Sequence, residues 1–441
     1  MMTSTRLARP LASLALIAGL AAPILRSGAA ESAVGQSLED AGIALNGGFV
    51  GEFAANPSGG LRQGALFTGQ IAAGADLNLG TIASIPGATL HVLVTDRFGR
   101  DLSKDDIGNS IDVQEVYGGG MTARLSEFSW EQSLFSGRVD ILAGRVSVVP
   151  GNAASSAIGC SFQTNATCPE PKFFARDSGI TNPPVATWGG RVKVWATDTV
   201  YLQSGAYDVN PIQGLHSQNG TNWTTSNSTG TFVPYEVGYA TSLANDDLPR
   251  HYKLGGYYDS SLYSDPARTS DGSFAALSNT AYASRRGRSA VYGWADQMVW
   301  RPDSDTDRGL TLFAALLAAT SDHVTQDYGV EGGLQWKGPF QGRSDDVAGF
   351  VVSDQRLSAD ATENIRLLRA KAGGFGAPSP DEVMFEVNYQ YALSPAWTVM
   401  PNIQYVMNPD MLNNPSAVRN IPNAFVIGLK VTVDFPKMLG L

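Results

Sequence analysis

The sequence predicts an all-β fold: a transmembrane up-and-down antiparallel β-barrel of 16 strands, with long extracellular loops and short periplasmic turns. Three observations predict it. Apolar residues fall on every second position along almost the whole chain after its leader, which is strand periodicity and not the period of a helix. Most candidate strands run about 9 to 14 residues, longer than the ~5 or 6 of soluble sheets and close to what a tilted strand needs to cross a bilayer. The connections alternate between short and long, as they do when both chain ends lie on the periplasmic side.

The chain begins MMTSTRLARPLASLALIAGLAAPILRSGAAES, with Arg6 and Arg9 ahead of an apolar run from Leu11 to Leu25 and small residues at Gly28, Ala29 and Ala30. This predicts a secretory signal peptide over residues 1–30, cleaved near Ala30, because the apolar run of about 15 residues falls short of the ~20 of a spanning helix. Residues 31–44 are then a short periplasmic segment and 45–441 the barrel. Cleavage removes Arg6, Arg9 and Arg26 and no acidic residue, moving the formal charge from −10 to −13. An acidic chain of this kind is a poor partner for nucleic acid.

The first eight predicted strands are Leu45–Phe53, Gly64–Leu79, Ala88–Arg97, Met121–Phe135, Arg138–Val148, Thr187–Thr197, Thr199–Asn210 and Val233–Leu243. The second eight are Arg250–Ser261, Ala290–Pro302, Gly309–Ser321, Gln326–Gly338, Asp345–Ser358, Asp381–Ser394, Ala396–Pro409 and Asn423–Phe435. Connections after even-numbered strands are as short as Ser136-Gly137, Asp198 and Pro395, whereas Phe98–Gly120, Val149–Ala186, Pro211–Phe232, Leu262–Ser289 and Ala359–Pro380 follow odd-numbered ones. Asp322–Thr325 is a short exception. Three strands are irregular: Met121–Phe135 changes phase between Leu125 and Phe128, Gly309–Ser321 is apolar on both faces, and Pro401 interrupts Ala396–Pro409.

The alternation separates two chemically distinct faces. In NAFVIGLKVTVDF, Phe425, Ile427, Leu429, Val431, Val433 and Phe435 share one face, and Gly428, Lys430, Thr432 and Asp434 the other. In FEVNYQYALSPAWTVMPNIQYVMNP, Glu386, Asn388, Gln390, Asn402 and Gln404 oppose an apolar set. Glu331, Glu386 and Lys430 would be costly against lipid, so the apolar face meets the membrane and the polar face a wet lumen, which 16 strands make wide enough for a channel. Trp188, Tyr235, Trp300, Trp336 and Trp397 are candidates for the aromatic girdles at the membrane interfaces.

The two cysteines, Cys160 and Cys168 in CSFQTNATC, are read as a disulfide of an exported protein. A metal site would need further soft ligands, and no histidine lies between Phe162 and Asn182. Nothing points to a cofactor or to catalysis: His91, His216, His251 and His323 are scattered, with no phosphate-binding loop and no nucleophile elbow.

Several stretches taken in order resemble a known family. They are NPSGGLRQGALFTGQIAAGADLNLG, RLSEFSWEQSLFSGRVDILAGR, CSFQTNATCPEP, WGGRVKVW with GAYDVNP, ADQMVWR, and the closing NYQYALSPAWTVMPNIQYVMNP with NAFVIGLKVTVDF. From about Leu45 to Phe435 the chain is similar to the carbohydrate-selective porins of the OprB type, outer-membrane channels of Gram-negative bacteria. The resemblance implies passive, sugar-preferring diffusion through a sixteen-stranded barrel that is a monomer or a homotrimer, with small neutral sugars and outer-membrane lipid as its partners. The tail PKMLGL after Phe435 departs from the terminal aromatic common in such barrels. The alternatives are a general porin without sugar preference, a barrel hydrolase of the same membrane, and a secreted β-sandwich lectin.

A neutral solute rich in hydroxyls needs side chains that donate and accept, with aromatic faces for its C–H surface. The inward positions Gln335, Asn388, Gln390, Asn402 and Gln404 supply the first, and Trp195 the second. Arg97, Arg191, Lys193, Lys253, Glu236, Glu331 and Glu386 give a wall of mixed sign, where a ring of one sign would select ions. Within RLSEFSWEQ, Arg124, Glu127, Trp130, Glu131 and Gln132 match the family pattern, and Glu131 is taken as pore-lining; Arg145 is a further candidate. The long connection Val149–Ala186, with its disulfide and Lys172, Phe173, Phe174, Arg176 and Asp177, is expected either to fold inward and narrow the channel or to cap the outer surface.

Overall fold

The computed structural model describes residues 33–148, 158–168, 172–278 and 280–441, so the expected signal peptide lies outside the described residues. All sixteen predicted strands are present. They are β1 (Ile43–Ser58), β2 (Ala65–Asn78), β3 (Ala88–Gly99), β4 (Arg124–Leu134), β5 (Val139–Val146), β6 (Thr187–Trp195), β7 (Val200–Val209) and β8 (Gly230–Ala240). Then follow β9 (Arg250–Ser264), β10 (Ser284–Trp300), β11 (Gly309–Ala319), β12 (Gln326–Lys337), β13 (Val347–Leu357), β14 (Asp381–Ser394), β15 (Trp397–Met407) and β16 (Ala424–Asp434). Each pairs antiparallel with its neighbours in sequence, and β1 pairs with β16 to close the barrel and leave no free edge.

The irregular strands have local causes. The phase change in β4 is a bulge: Glu127 faces Leu93 and Leu125 faces Val94, so Ser126 is the extra residue. Around Pro401 the β14–β15 ladder is interrupted between Asn388↔Asn402 and Tyr391↔Val399 without a change of register, as expected of a residue that cannot donate. β1 and β10 are longer than the alternation indicated; at the start of β10, Arg285 and Arg286 bond Asp265 and the Thr229 carbonyl and carry the ladder beyond the apolar band.

Sorting of the connections by length holds with two exceptions, the six-residue connections β1–β2 and β11–β12, which are shorter than the nine residues of β2–β3, β8–β9 and β12–β13. Tight turns join β4 to β5, β6 to β7 and β14 to β15, and both described chain ends lie at that end of the barrel. Helix α1 (Ala33–Asp40) leads into β1. The tail after β16 forms a short helix (Phe435–Leu439) whose following residues reach Gly35 of α1. Large apolar side chains cover the outer wall, with Leu254 67% and Val387 55% exposed, the face a barrel turns to hydrocarbon. Trp300 and Trp336 meet edge to face at 6.3 Å at the turn end, and Tyr239 stacks on Tyr252 at 6.2 Å; both pairs suit an interfacial girdle. Trp188 instead packs on Trp223 of the β7–β8 connection.

Inside, the barrel is partly filled. The β3–β4 connection buries Leu102, Ile107, Ile111 and Val113 against Ala54, Met384, Val406 and Val426 of β1 and β14–β16. The β5–β6 connection buries Phe162, Phe173 and Phe174 against β7–β13. This explains why β11 is apolar on both faces: its inward Phe313, Ala315 and Leu317 lie beneath that loop and not in water.

Candidate functional site

The β5–β6 connection folds inward. Cys160 and Cys168 are joined, with 4.6 Å between their α-carbons, and the loop they close lies against the inner wall of β12–β16. The Glu386 carboxylate accepts from the backbone N–H of Gln163 at 2.9 Å and of Thr164 at 2.8 Å, and from Asn388 at 2.9 Å. Asn388 and Gln390 both donate to the Ser161 carbonyl, Gln335 donates to the Ser161 hydroxyl at 2.7 Å, and Asn402 donates to the Gln163 side chain at 2.7 Å. Gln404 donates to the Val113 carbonyl of the β3–β4 connection at 3.1 Å. From β16, Lys430 donates to the Phe162 carbonyl at 3.1 Å and to Glu115 at 2.8 Å, with Glu52 3.5 Å away.

These inward side chains therefore satisfy the otherwise unpaired backbone groups of an irregular segment. The expectation that they form an open, wet wall is corrected to that extent. Glu386, Asn388, Asn402, Gln404 and Lys430 are buried, and loops separate them from the channel.

Glu331 is corrected further. It is 2% exposed, and neither carboxylate oxygen has a hydrogen-bond partner. It stands between Ala315 and Ser353 in the ladder, with Phe173 packed over Gly329 two residues away. Burying even a neutral polar group without partners costs about 1–3 kcal/mol. Glu331→Met is therefore expected to raise unfolding resistance in a urea titration by an amount of that order and to leave single-channel conductance unchanged. A change in conductance would instead place Glu331 on the open path.

A second anchor is aromatic. The short helix Lys172–Arg176 presents Phe174 to Phe232, Tyr257 and Tyr292, edge-on at 6.5, 5.6 and 5.2 Å. Asp177 accepts the backbone N–H groups of Thr325 and Gln326 at 2.9 and 2.7 Å, and Arg176 donates to Ser110 and Gln355. The apolar pair Phe173-Phe174 in a polar loop, and the apolar inner face of β11, were the sequence signals for this packing.

A cavity lies between the β3–β4, β5–β6 and β7–β8 connections. At about 470 Å³, it is lined by Arg97, Asp112, Glu115, Asn165, Lys172, Thr181, Asn182, Asn210 and Arg288, among others. Its charges are engaged. Arg97 donates to Gln70 and the Tyr117 carbonyl, Glu115 holds Lys430, Arg288 donates to Asp259 at 3.0 Å, and Lys172 stands 3.8 Å from Asp112. Burial pushes the Asp112 carboxyl above the ordinary aspartate range, against the pull of Lys172.

The inner wall nearer the turn end carries the remaining predicted residues. Arg191 donates to Glu131 at 3.0 Å, Glu131 lies 3.4 Å from His91, and His91 meets Asp76 at 2.7 Å. Lys193 sits over the rings of Trp195 and Tyr201 at 4.6 and 4.2 Å. Glu236 accepts from Tyr201, Gln203 and Tyr292. Sequence reasoning missed Asn165, Thr181 and Asn182, which lie in connections that no periodicity orders, and Asn210, expected to end a strand but found just after β7. Arg145 does not line the lumen: buried, it donates to Ala186, Gln213 and Asn222 and holds the β7–β8 connection to the rim.

Comparison with known proteins agrees with this architecture. The family model for the carbohydrate-selective porin, OprB family, matches residues 62–435. Porin B of Pseudomonas aeruginosa is 30% identical over 401 residues, covering 88% of this chain and 86% of its own length. The putative porin QuiX of Acinetobacter baylyi is 26% identical over 424 residues, 91% of each. The high-pH structure of Pseudomonas putida OprB superposes with a TM-score of 0.83 at 29% identity, over 91% of this chain and 96% of that one. Salmonella typhi OmpF, at 10% identity and a TM-score of 0.51, covering 89% of this chain and 98% of its own, shares the fold alone. The chain belongs to the carbohydrate-selective porins of the OprB family, a non-enzymatic family of Gram-negative outer-membrane channels.

Proposed function

We propose that the channel passes small neutral sugars, monosaccharides such as glucose, by passive diffusion through the cavity roofed by the disulfide-closed loop. The observation that carries this reading is the pairing of the cavity's charges among themselves or with neighbouring groups, Asn165 donating to Asp112 at 3.1 Å, so that carboxylates, cations and amides share the lining. Such a wall neither repels nor traps an ion of one sign. It offers donors and acceptors to a polyhydroxylated solute, in a volume within the usual ~300–1,000 Å³ of small-molecule sites. Below it, the mixed-charge wall of Glu131, Arg191, Lys193 and Glu236, with the Trp195 ring, continues the path.

The experiment is single-channel recording with glucose added in steps. Glucose occupying the cavity is expected to reduce the ion current saturably, and Asn182→Leu with Asn165→Leu to raise the half-blocking concentration about tenfold, the equivalent of ~1.4 kcal/mol. Current that falls only in proportion to the solution's bulk conductivity would favour a general porin.

A further inference from the structure

The polar groups bordering the cavity fall into two sets. Its charges are engaged, and so is Asn165, whose amide donates to Asp112 at 3.1 Å. By contrast, Thr181 Oγ1, Asn182 Oδ1 and both Oδ1 and Nδ2 of Asn210 have no hydrogen-bond partner among the described residues. Asn210 is only 2% exposed, and an amide held empty in such a place is unfavourable until something bonds it. The backbone accounts for the position of all three. Gly179 stands so close to β7 that a Cβ there would lie 2.3 Å from Val209, and its N–H donates to Asp259 at 2.6 Å. This lays the segment after Gly179 alongside the end of β7. The carbonyls of Thr181, Asn182 and Asn210 then accept from the backbone N–H groups of Val148, Val185 and Gln213. At each position the main chain is fastened and the side-chain group is left free.

The kind of atom left free selects the solute. Three are oxygens that accept, the Thr181 hydroxyl also donating, against a single amide nitrogen. A solute satisfies that set by bringing several O–H groups close together, as a sugar does. An ether offers acceptors alone, and a simple ion meets a wall whose own charges are already paired. Ile180, Val185 and Val209 border the same cavity and supply apolar surface for C–H groups. A site with buried acceptors rejects an analogue that lacks the matching hydroxyl, because binding it leaves those acceptors unpaired.

We infer that Asn210, with Thr181 and Asn182 beside it, sets the specificity of the channel by reading the hydroxyl hydrogens of its solute, an assignment that rests on the sugar-channel reading above. The test is single-channel recording of the full barrel with D-glucose or with tetra-O-methyl glucose, which keeps the ring and its oxygens and loses four hydroxyl hydrogens. Glucose is expected to block wild type saturably, and the methylated sugar to block it only at a concentration about tenfold higher. Asn210→Leu should raise the half-blocking concentration of glucose about tenfold and leave that of the methylated sugar where it was. Thr181→Val, a nearly isosteric loss of one hydroxyl, should raise that of glucose by less. Heat-modified gel mobility checks folding of both variants, and the second carries the test if the first does not fold. Equal block of wild type by the two sugars would overturn the assignment and leave the sugar channel standing, as would a glucose block unchanged in both variants. A wild type that glucose does not block saturably would overturn both.

Discussion

Alanine at Lys430 or at Glu386 is expected to raise single-channel conductance several-fold and to abolish discrimination between solutes. Both side chains hold the same segment from opposite signs of charge. Lys430 donates to the Cys160 and Phe162 carbonyls, and Glu386 accepts the Gln163 and Thr164 backbone N–H groups. Hydrogen bonds of this charged kind contribute about 1.5–3 kcal/mol each. Removing Lys430 also strands the carboxylates it neutralises in a buried place, at about 3–5 kcal/mol. Lys430→Ala should be the more severe, because it leaves Glu52 and Glu115 facing each other without their cation. The closed ladder of sixteen strands does not depend on these groups, so the loss should appear as a loop leaving the lumen and not as a failed barrel. Glu386→Gln keeps one acceptor and should sit between wild type and alanine. Wild-type conductance in both alanine variants would show that the loop does not need this latch.

Phe174→Ala is expected to release the other half of the loop. The ring is 1% exposed and contacts Phe232, Tyr257 and Tyr292 on three strands, and such truncations cost about 3–5 kcal/mol. The expected readout is a larger, noisier current together with faster proteolysis of the connection, while heat-modified gel mobility still reports a folded barrel. Phe174→Leu retains most of the buried volume and should behave nearly as wild type. Quiet, wild-type currents from Phe174→Ala would assign the anchoring to Asp177 and Arg176 instead.

The barrel was legible because a wall between hydrocarbon and a filled or wet interior forces opposite chemistries onto alternate residues. Phe425, Ile427 and Leu429 against Gly428 and Lys430 define the two faces of β16 without any knowledge of its neighbours. The same rule is silent about what fills the inside. Gln390 and Trp195 both face inward, yet Gln390 bonds the Ser161 carbonyl of an inserted loop while Trp195 lies beside Lys193 on the far wall. Telling them apart needed the path of the β5–β6 connection, whose backbone follows no period. Two clues to that path were in the sequence: the cluster of amides and charges on β14, β15 and β16, more hydrogen-bonding capacity than a wall facing water needs, and the doubly apolar β11. Of the cavity's lining, Arg97 and Lys172 were already named from the sequence, whereas Asn165, Thr181 and Asn182 come from connections and became visible only once those were placed.

On the proposed function, a loop clamped inside this barrel leaves a passage suited to sugars. Initial rates of uptake into liposomes carrying the purified protein test it most directly, comparing D-glucose with a neutral, linear oligoethylene glycol of matched size. The structure predicts faster uptake of glucose by wild type and equal rates once Lys430 is replaced by alanine. Equal rates in wild type would contradict a sugar-preferring channel and leave a general one.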